Sequence, residues 1–192
     1  AHRALKAGNI TVGITCNNKD FINDEAYFGR NAQRTLLSDF SSLDDIEFGP
    51  DLDGYLHIID SPNAPLAVSM TGNVLYVSGE DSGDLTGLEQ AVSDMRFTVF
   101  GNLGLFSRFV MTLGEMKHDE FSYHASVTFD EKKNRMIIAI GGAAAGKSCC
   151  ILAGLNRGFK LFSTERAHFR IIDGKVVFYR GSTLDNVWNT NM

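Results

Sequence analysis

The stretch Ile140-Gly141-Gly142-Ala143-Ala144-Ala145-Gly146-Lys147-Ser148 decides how this chain is read. Gly141 and Gly146 bracket four residues and are followed by Lys147 and Ser148, which fills the phosphate-binding pattern GxxxxGK[ST] without a mismatch. Each residue type has a physical reason to be there. Small residues let successive backbone N–H groups point at phosphate oxygens, a lysine reaches the β- and γ-phosphates, and a serine hydroxyl serves a Mg²⁺ ion. A helix opening at the loop adds the positive end of its dipole. The expected nucleotide-binding set is therefore Gly141, Gly142, Ala143, Ala144, Ala145, Gly146, Lys147, Ser148 and Cys149, with ATP or another nucleoside triphosphate and Mg²⁺ as cofactors. The flanks agree with this reading: residues 136–140 read as a buried strand and residues 149–155 as a buried helix.

Working outward, a strand at residues 123–129, a charged turn at 130–134 and a partner strand at 135–140 precede the loop. The loop helix ends at Arg157-Gly158, a cation in the last turn followed by a glycine stop. A strand at 159–162 leads to Ser163-Thr164-Glu165, and Asp173-Gly174 links strands at 169–172 and 176–179 as a two-residue hairpin. Earlier in the chain, Ile10, Val12, Ile14 and Cys16 alternate as a half-buried strand, and residues 25–40 read as a helix despite Gly29. Strands at 66–70 and 74–78 form a hairpin around Thr71-Gly72-Asn73. Residues 79–87 form a polar loop, and Leu105, Phe106, Phe109, Val110 and Leu113 repeat at helical spacing. The acidic, turn-rich stretch 38–54 meets no metal-loop spacing and reads as a solvated loop rather than a cation site.

Length and charge limit the possibilities. A chain of 192 residues fits one domain, or one domain with a small extra lobe. With a net charge of −5 and no long basic run, a broad nucleic-acid-binding face is not expected, although a local basic groove remains compatible. No apolar run approaches a membrane span and no signal peptide opens the chain; a start at Ala1 points to processing or trimming. Cys149 and Cys150 are adjacent, an implausible bridge, so the three cysteines are read as reduced and the protein as cytoplasmic. Common P-loop NTPases carry the motif early and build several βα units after it. Here little of the chain follows Ser148, so the sheet is expected to be built mostly before the loop.

The succession Tyr123-His124-Ala125-Ser126-Val127, a hairpin, the loop to Ser148, then Arg157-Gly158-Phe159-Lys160-Leu161-Phe162-Ser163-Thr164-Glu165 resembles the HPr kinase/phosphorylase family. That family belongs with the phosphoenolpyruvate carboxykinase-like kinases, and the resemblance spans residues 105–185, including the Asp173-Gly174-Lys175-Val176-Val177 hairpin. It implies an α/β fold with a mixed sheet, an N-terminal mixed lobe at 1–104 and a nucleotide-binding core at 105–192, or one continuous domain. It also implies an ATP-dependent phosphotransferase whose acceptor is a hydroxyl on a protein serine, a peptide or a small metabolite. In that picture Lys147 neutralises phosphate charge and Ser148 ligates the metal. Glu165 contacts the metal or accepts the hydroxyl proton, and His124 is the histidine near the phosphates. A homo-oligomer is compatible with it.

Two departures stand out. Thr164 occupies the place where relatives carry an aspartate, which leaves the chemistry to Glu165 or to a distant acid such as Asp185. The chain also stops soon after Asn186, where most relatives continue, so a fragment or a short variant is expected. One alternative is a nucleotide-binding regulatory or structural module without transfer activity; another is a nucleoside, sugar or DNA-base hydroxyl kinase. Structural readings compete residue by residue. His124 fits a satisfied core or edge imidazole, Glu165 fits a surface pair with Arg166 or Lys160, and Arg166, Arg170 and Arg180 fit either phosphate contacts or a solvated face. His57 and His118 have no partner motif, and neither a Ser-His-Asp arrangement nor a zinc spacing is evident.

Overall fold

Alternating apolar residues build two separate sheets in the computed structural model, which describes residues 1–28, 40, 43–81, 95–101, 103–142 and 145–183. The chain divides into two units: Ala1–Leu36 with Ser42–His118, and Leu37–Ser41 with Asp119–Met192.

The first unit holds β1 (His2–Ala7), β2 (Ile10–Cys16), β3 (Leu43–Ile46), β4 (Gly54–Asp60), β5 (Ala67–Thr71) and β6 (Val74–Gly79) in the order β3-β1-β2-β4-β6-β5. β2, β4 and β6 run parallel, whereas β1, β3 and β5 pair antiparallel with their neighbours, so the sheet is mixed. Its helices are α1 (Lys19–Ile22), α2 (Glu25–Phe28), α3 (Met95–Phe100) and α4 (Leu105–His118). The period-2 residues Val12, Ile14, Leu56, Ile58 and Val77 are buried, as are Phe106, Phe109, Val110 and Leu113 at helical spacing on α4. Lys117 and His118 close α4 with charge that suits the negative end of its dipole. Leu113 packs so tightly on Gly54 that a Cβ there would meet its side chain. His118 reaches Asp53 at 2.8 Å. These contacts hold α4 in the first unit, whose later segment ends at His118.

The second unit is an antiparallel sheet of β7 (Glu120–Asp130), β8 (Arg135–Ile140), β9 (Lys160–Ser163), β10 (Arg166–Ile172) and β11 (Lys175–Tyr179), with helix α5 (Lys147–Asn156). The long β7 organises it. β8 lies along one side, and β10 and β9 share the other, pairing with residues 120–124 and 127–129. Asp173 and Gly174 both take positive φ, 51° and 72°, as the tight hairpin turn demands.

The expected hairpins, β2, α4 and the loop helix all form, and the chain is mixed α/β with a mixed sheet. Elsewhere the structure differs. Of the helix expected over 25–40, α2 covers Glu25–Phe28, residues 29–39 lie outside the described residues, and Phe40 is not helical. The acidic stretch contains β3, whose Asp45 is tied to Arg3 at 2.6 Å. The segments flanking the loop are less buried than their apolar character suggests. Ile140 on β8 is 68% exposed, and Leu152 on α5 is 56% exposed. Among the described residues β8 pairs only with β7, and the buried residues of α5 are Ile151 and Gly154. No helix among the described residues is long and apolar enough to cross a membrane.

Candidate nucleotide site

The loop joins β8 to α5 on one face of β7. Side chains alternate along a strand, so His124, Ser126 and Thr128 share that face. Ser126 Oγ donates to the Lys147 carbonyl at 3.3 Å, and a Cβ on Gly154 would sit 3.2 Å from the Thr128 side chain. Gly146 caps the helix with φ 86° and ψ 18°, a left-handed conformation that a side chain would strain. A Cβ on Gly141 would come within 2.8 Å of Ala145 Cβ, so the loop closes only because that position is bare. The first helical hydrogen bond runs from Cys150 N to Gly146 O at 3.1 Å. The earlier N–H groups of α5 have no partner within the helix, as at any helix start. Lys147 Nζ donates to Gly141 O at 3.0 Å and to Gly142 O at 2.8 Å. Ser148 and Cys149 are exposed beside it, and Ala143 and Ala144 lie outside the described residues.

Glu165 sits at the corner between β9 and β10. Its carbonyl accepts Ala125 N at 3.1 Å, and its Oε2 lies 3.9 Å from His124 Nε2, with both side chains mostly buried. That separation is beyond a hydrogen bond. Thr164 is buried, and both its N–H and its hydroxyl donate to Ser182 O, at 2.9 and 3.1 Å. Lys160, one candidate partner for Glu165, reaches Glu131 at 2.6 Å. Asp185 lies outside the described residues.

The structure thus brings the loop, Lys147, Ser126 and His124 to one face of β7, with Glu165 against His124. The Lys147 ammonium beside the start of α5 has the chemistry to meet a nucleotide phosphate, and the exposed Ser148 hydroxyl that to meet its Mg²⁺. Among the described residues no three His, Cys, Asp or Glu side chains are grouped so as to hold a metal ion by themselves.

Several partners were beyond the sequence. His57 Nδ1 pairs with Thr15 Oγ1 at 2.6 Å, and His168 pairs with Ser122 Oγ at 2.8 Å while stacking on Phe40. The even alternation of Arg166, His168 and Arg170 along β10 was the only signal that these residues share a face. Comparison with protein-family models, with curated proteins and with solved structures finds no match for this chain.

Proposed function

We propose that this protein is an ATP-dependent phosphotransferase of the HPr-kinase-like type, acting on a hydroxyl of a protein, peptide or small molecule. One observation carries the proposal: Lys147 and the loop share a face of β7 with His124, against which Glu165 supplies a carboxylate. Phosphoryl transfer is mainly positioning and charge stabilisation, with one acid oriented toward the nucleophile. A bound Mg²⁺–nucleotide supplies the transferable phosphoryl group, and Ser148 and Glu165 are the side chains that would hold its metal. Lys147 exchanges its two loop carbonyls for phosphate oxygens and offsets their charge. Glu165 accepts the hydroxyl proton as the acceptor oxygen becomes the nucleophile. His124 keeps that carboxylate on the loop side of the sheet.

A second reading has its own support. Thr164 stands where a second acid is expected, and its hydroxyl is already engaged with Ser182, which suits a nucleotide-binding module without transfer. Transfer and release of labelled γ-phosphate from ATP with Mg²⁺ separates the two readings, using wild type, Lys147→Ala and Glu165→Gln. The phosphotransferase reading expects wild type to turn ATP over and Glu165→Gln to bind it without turnover. Binding through Lys147 with no release or transfer across a broad hydroxyl panel would leave the module reading. Absence of nucleotide binding would sink both.

A further inference from the structure

We propose that Thr164 and the return segment after β11, residues 180–182, are positioning elements that bend the β9–β10 corner and thereby aim Glu165 at His124. The kinetic consequence rests on the phosphotransferase reading; the geometric one does not.

The argument begins with register. Ser163 pairs with Val127 and Arg166 with His124, so Glu165 falls opposite Ala125, to whose N–H its carbonyl is bonded. Residues directly opposite each other in regular antiparallel strands point to the same face. Ala125 is fully buried in an apolar cluster with Val127 and Ala167. A regular strand would send the Glu165 carboxylate into that cluster, where an unpaired charge is costly. The bend at Thr164 and Glu165 breaks the alternation, and the carboxylate instead meets His124 on the opposite face, the one that carries the loop.

Three contacts hold the bend. Thr164 donates twice to Ser182 O, from N–H and from Oγ1. Ser163 Oγ donates to the Arg166 carbonyl and so spans the corner. Gly181 passes so close that a Cβ would overlap both Ser163 Oγ and the Arg166 carbonyl. Ser163, Thr164 and Ser182 are all buried, so these bonds are shielded from competing water. The residue that departs from the acidic pattern therefore serves as a clamp instead of a second base.

The test compares Thr164→Val, Thr164→Ser and Gly181→Ala with wild type and Glu165→Gln in the full chain. Three quantities are read: Kd for Mg–ATP, kcat for transfer, and the NMR shift of the His124 ring, which responds to the facing carboxylate. Thr164→Val is expected to move the His124 signal toward its position in Glu165→Gln and to lower kcat about tenfold or more, with Kd held within about threefold. Thr164→Ser keeps the hydroxyl and restores both. Gly181→Ala is expected to exceed Thr164→Val in both effects; if it does not fold, the Thr164 pair still decides. A Thr164→Val protein with wild-type His124 shift and wild-type kcat overturns the proposal, as does a Thr164→Ser protein no better than Thr164→Val. If wild type transfers no phosphate, the phosphotransferase reading falls, and the His124 signal alone decides the clamp.

Discussion

The Lys147 ammonium donates to the Gly142 carbonyl at 2.8 Å and so occupies, from inside, the loop to which it belongs. A second bond runs from the same ammonium to the adjacent Gly141 carbonyl at 3.0 Å. On the proposed phosphotransferase reading, a nucleotide would draw this ammonium off two carbonyls onto phosphate oxygens, exchanging neutral acceptors for charged ones. Charge-assisted hydrogen bonds of this kind contribute about 1.5–3 kcal/mol each. Lys147→Met is therefore expected to weaken Mg–ATP binding about 10- to 100-fold. The unliganded protein should change by no more than about 0.5 kcal/mol, as at other sites outside the core. Calorimetric titration and urea unfolding check the two halves. Unchanged affinity would remove the loop from the phosphate site.

His124 and Glu165 should behave as one unit in turnover. If His124 acts by holding the Glu165 carboxylate on the loop face, His124→Gln loses much of its effect once Glu165 is already Gln. Glu165→Gln alone is expected to lower transfer by about 10²–10⁴-fold, the usual range for a general base. The double variant should be no more than about threefold slower than that. Strictly multiplicative effects would mean that the two side chains act independently.

Turns and local periodicity were legible in the sequence because their causes are local. Asp173-Gly174 and Gly158 had to supply positive φ, and they do. The residues of α4 announced their own buried stripe. What covers an element is not local. Ile140 and Leu152 are as apolar as core residues, yet both stand largely exposed, because apolar character does not say which partner lies opposite. Strand β1, with only Ala4, Leu5 and Ala7 as its buried side chains, carried too weak an apolar signal to be seen. Leu56 and Ile58 of β4 carried a usable alternation that the acidic residues before it obscured. At the candidate site the loop was fully legible as a motif, and Thr164 was visible as a departure. Its bond to Ser182, eighteen residues later, depends on how β11 returns and leaves no trace in spacing.

Asp53 gives the first unit a pH dependence. Burial pushes its carboxyl pKa up, but hydrogen bonds from Thr11 N, His118 Nε2 and Thr11 Oγ1, with the charge of His118, outweigh this and hold it below the ordinary value. A lowered pKa in the folded state stabilises the fold above the unfolded carboxylate pKa of about 4, and this stabilisation is lost as pH falls through the lower folded value. Asp53→Asn should therefore be less stable than wild type at pH 7, by about 1–3 kcal/mol for lost charged hydrogen bonds. The gap should narrow below about pH 4. Urea unfolding followed by circular dichroism between pH 7 and pH 3 measures it; a gap that does not change with pH would exclude the carboxylate as the cause.

Arg96 pairs with two carboxylates in the first unit. Its Nη2 lies 2.6 Å from Asp81 Oδ2 and its Nη1 2.8 Å from Asp24 Oδ2, while its guanidinium lies over the Phe21 ring. Asp81 is almost wholly buried, and its N–H is held in turn by Asp60 Oδ1 at 2.9 Å, with Asn18 bonded to the other Asp60 oxygen. The network joins the carboxyl ends of the three parallel strands β2, β4 and β6. Removing the guanidinium leaves the Asp81 charge buried and unpaired, so Arg96→Met should cost about 3–5 kcal/mol. Arg96→Lys keeps the charge but not the fork that bonds Asp81 and Asp24 together, and it should recover only part of that loss. Asp81→Asn combined with Arg96→Met should be more stable than Arg96→Met alone, because the stranded charge is gone. Urea unfolding of wild type, Arg96→Met, Arg96→Lys, Asp81→Asn and the double variant at pH 7 tests this. A double variant as unstable as the two single losses added together would show that shape and packing, and not the buried charge, set the cost.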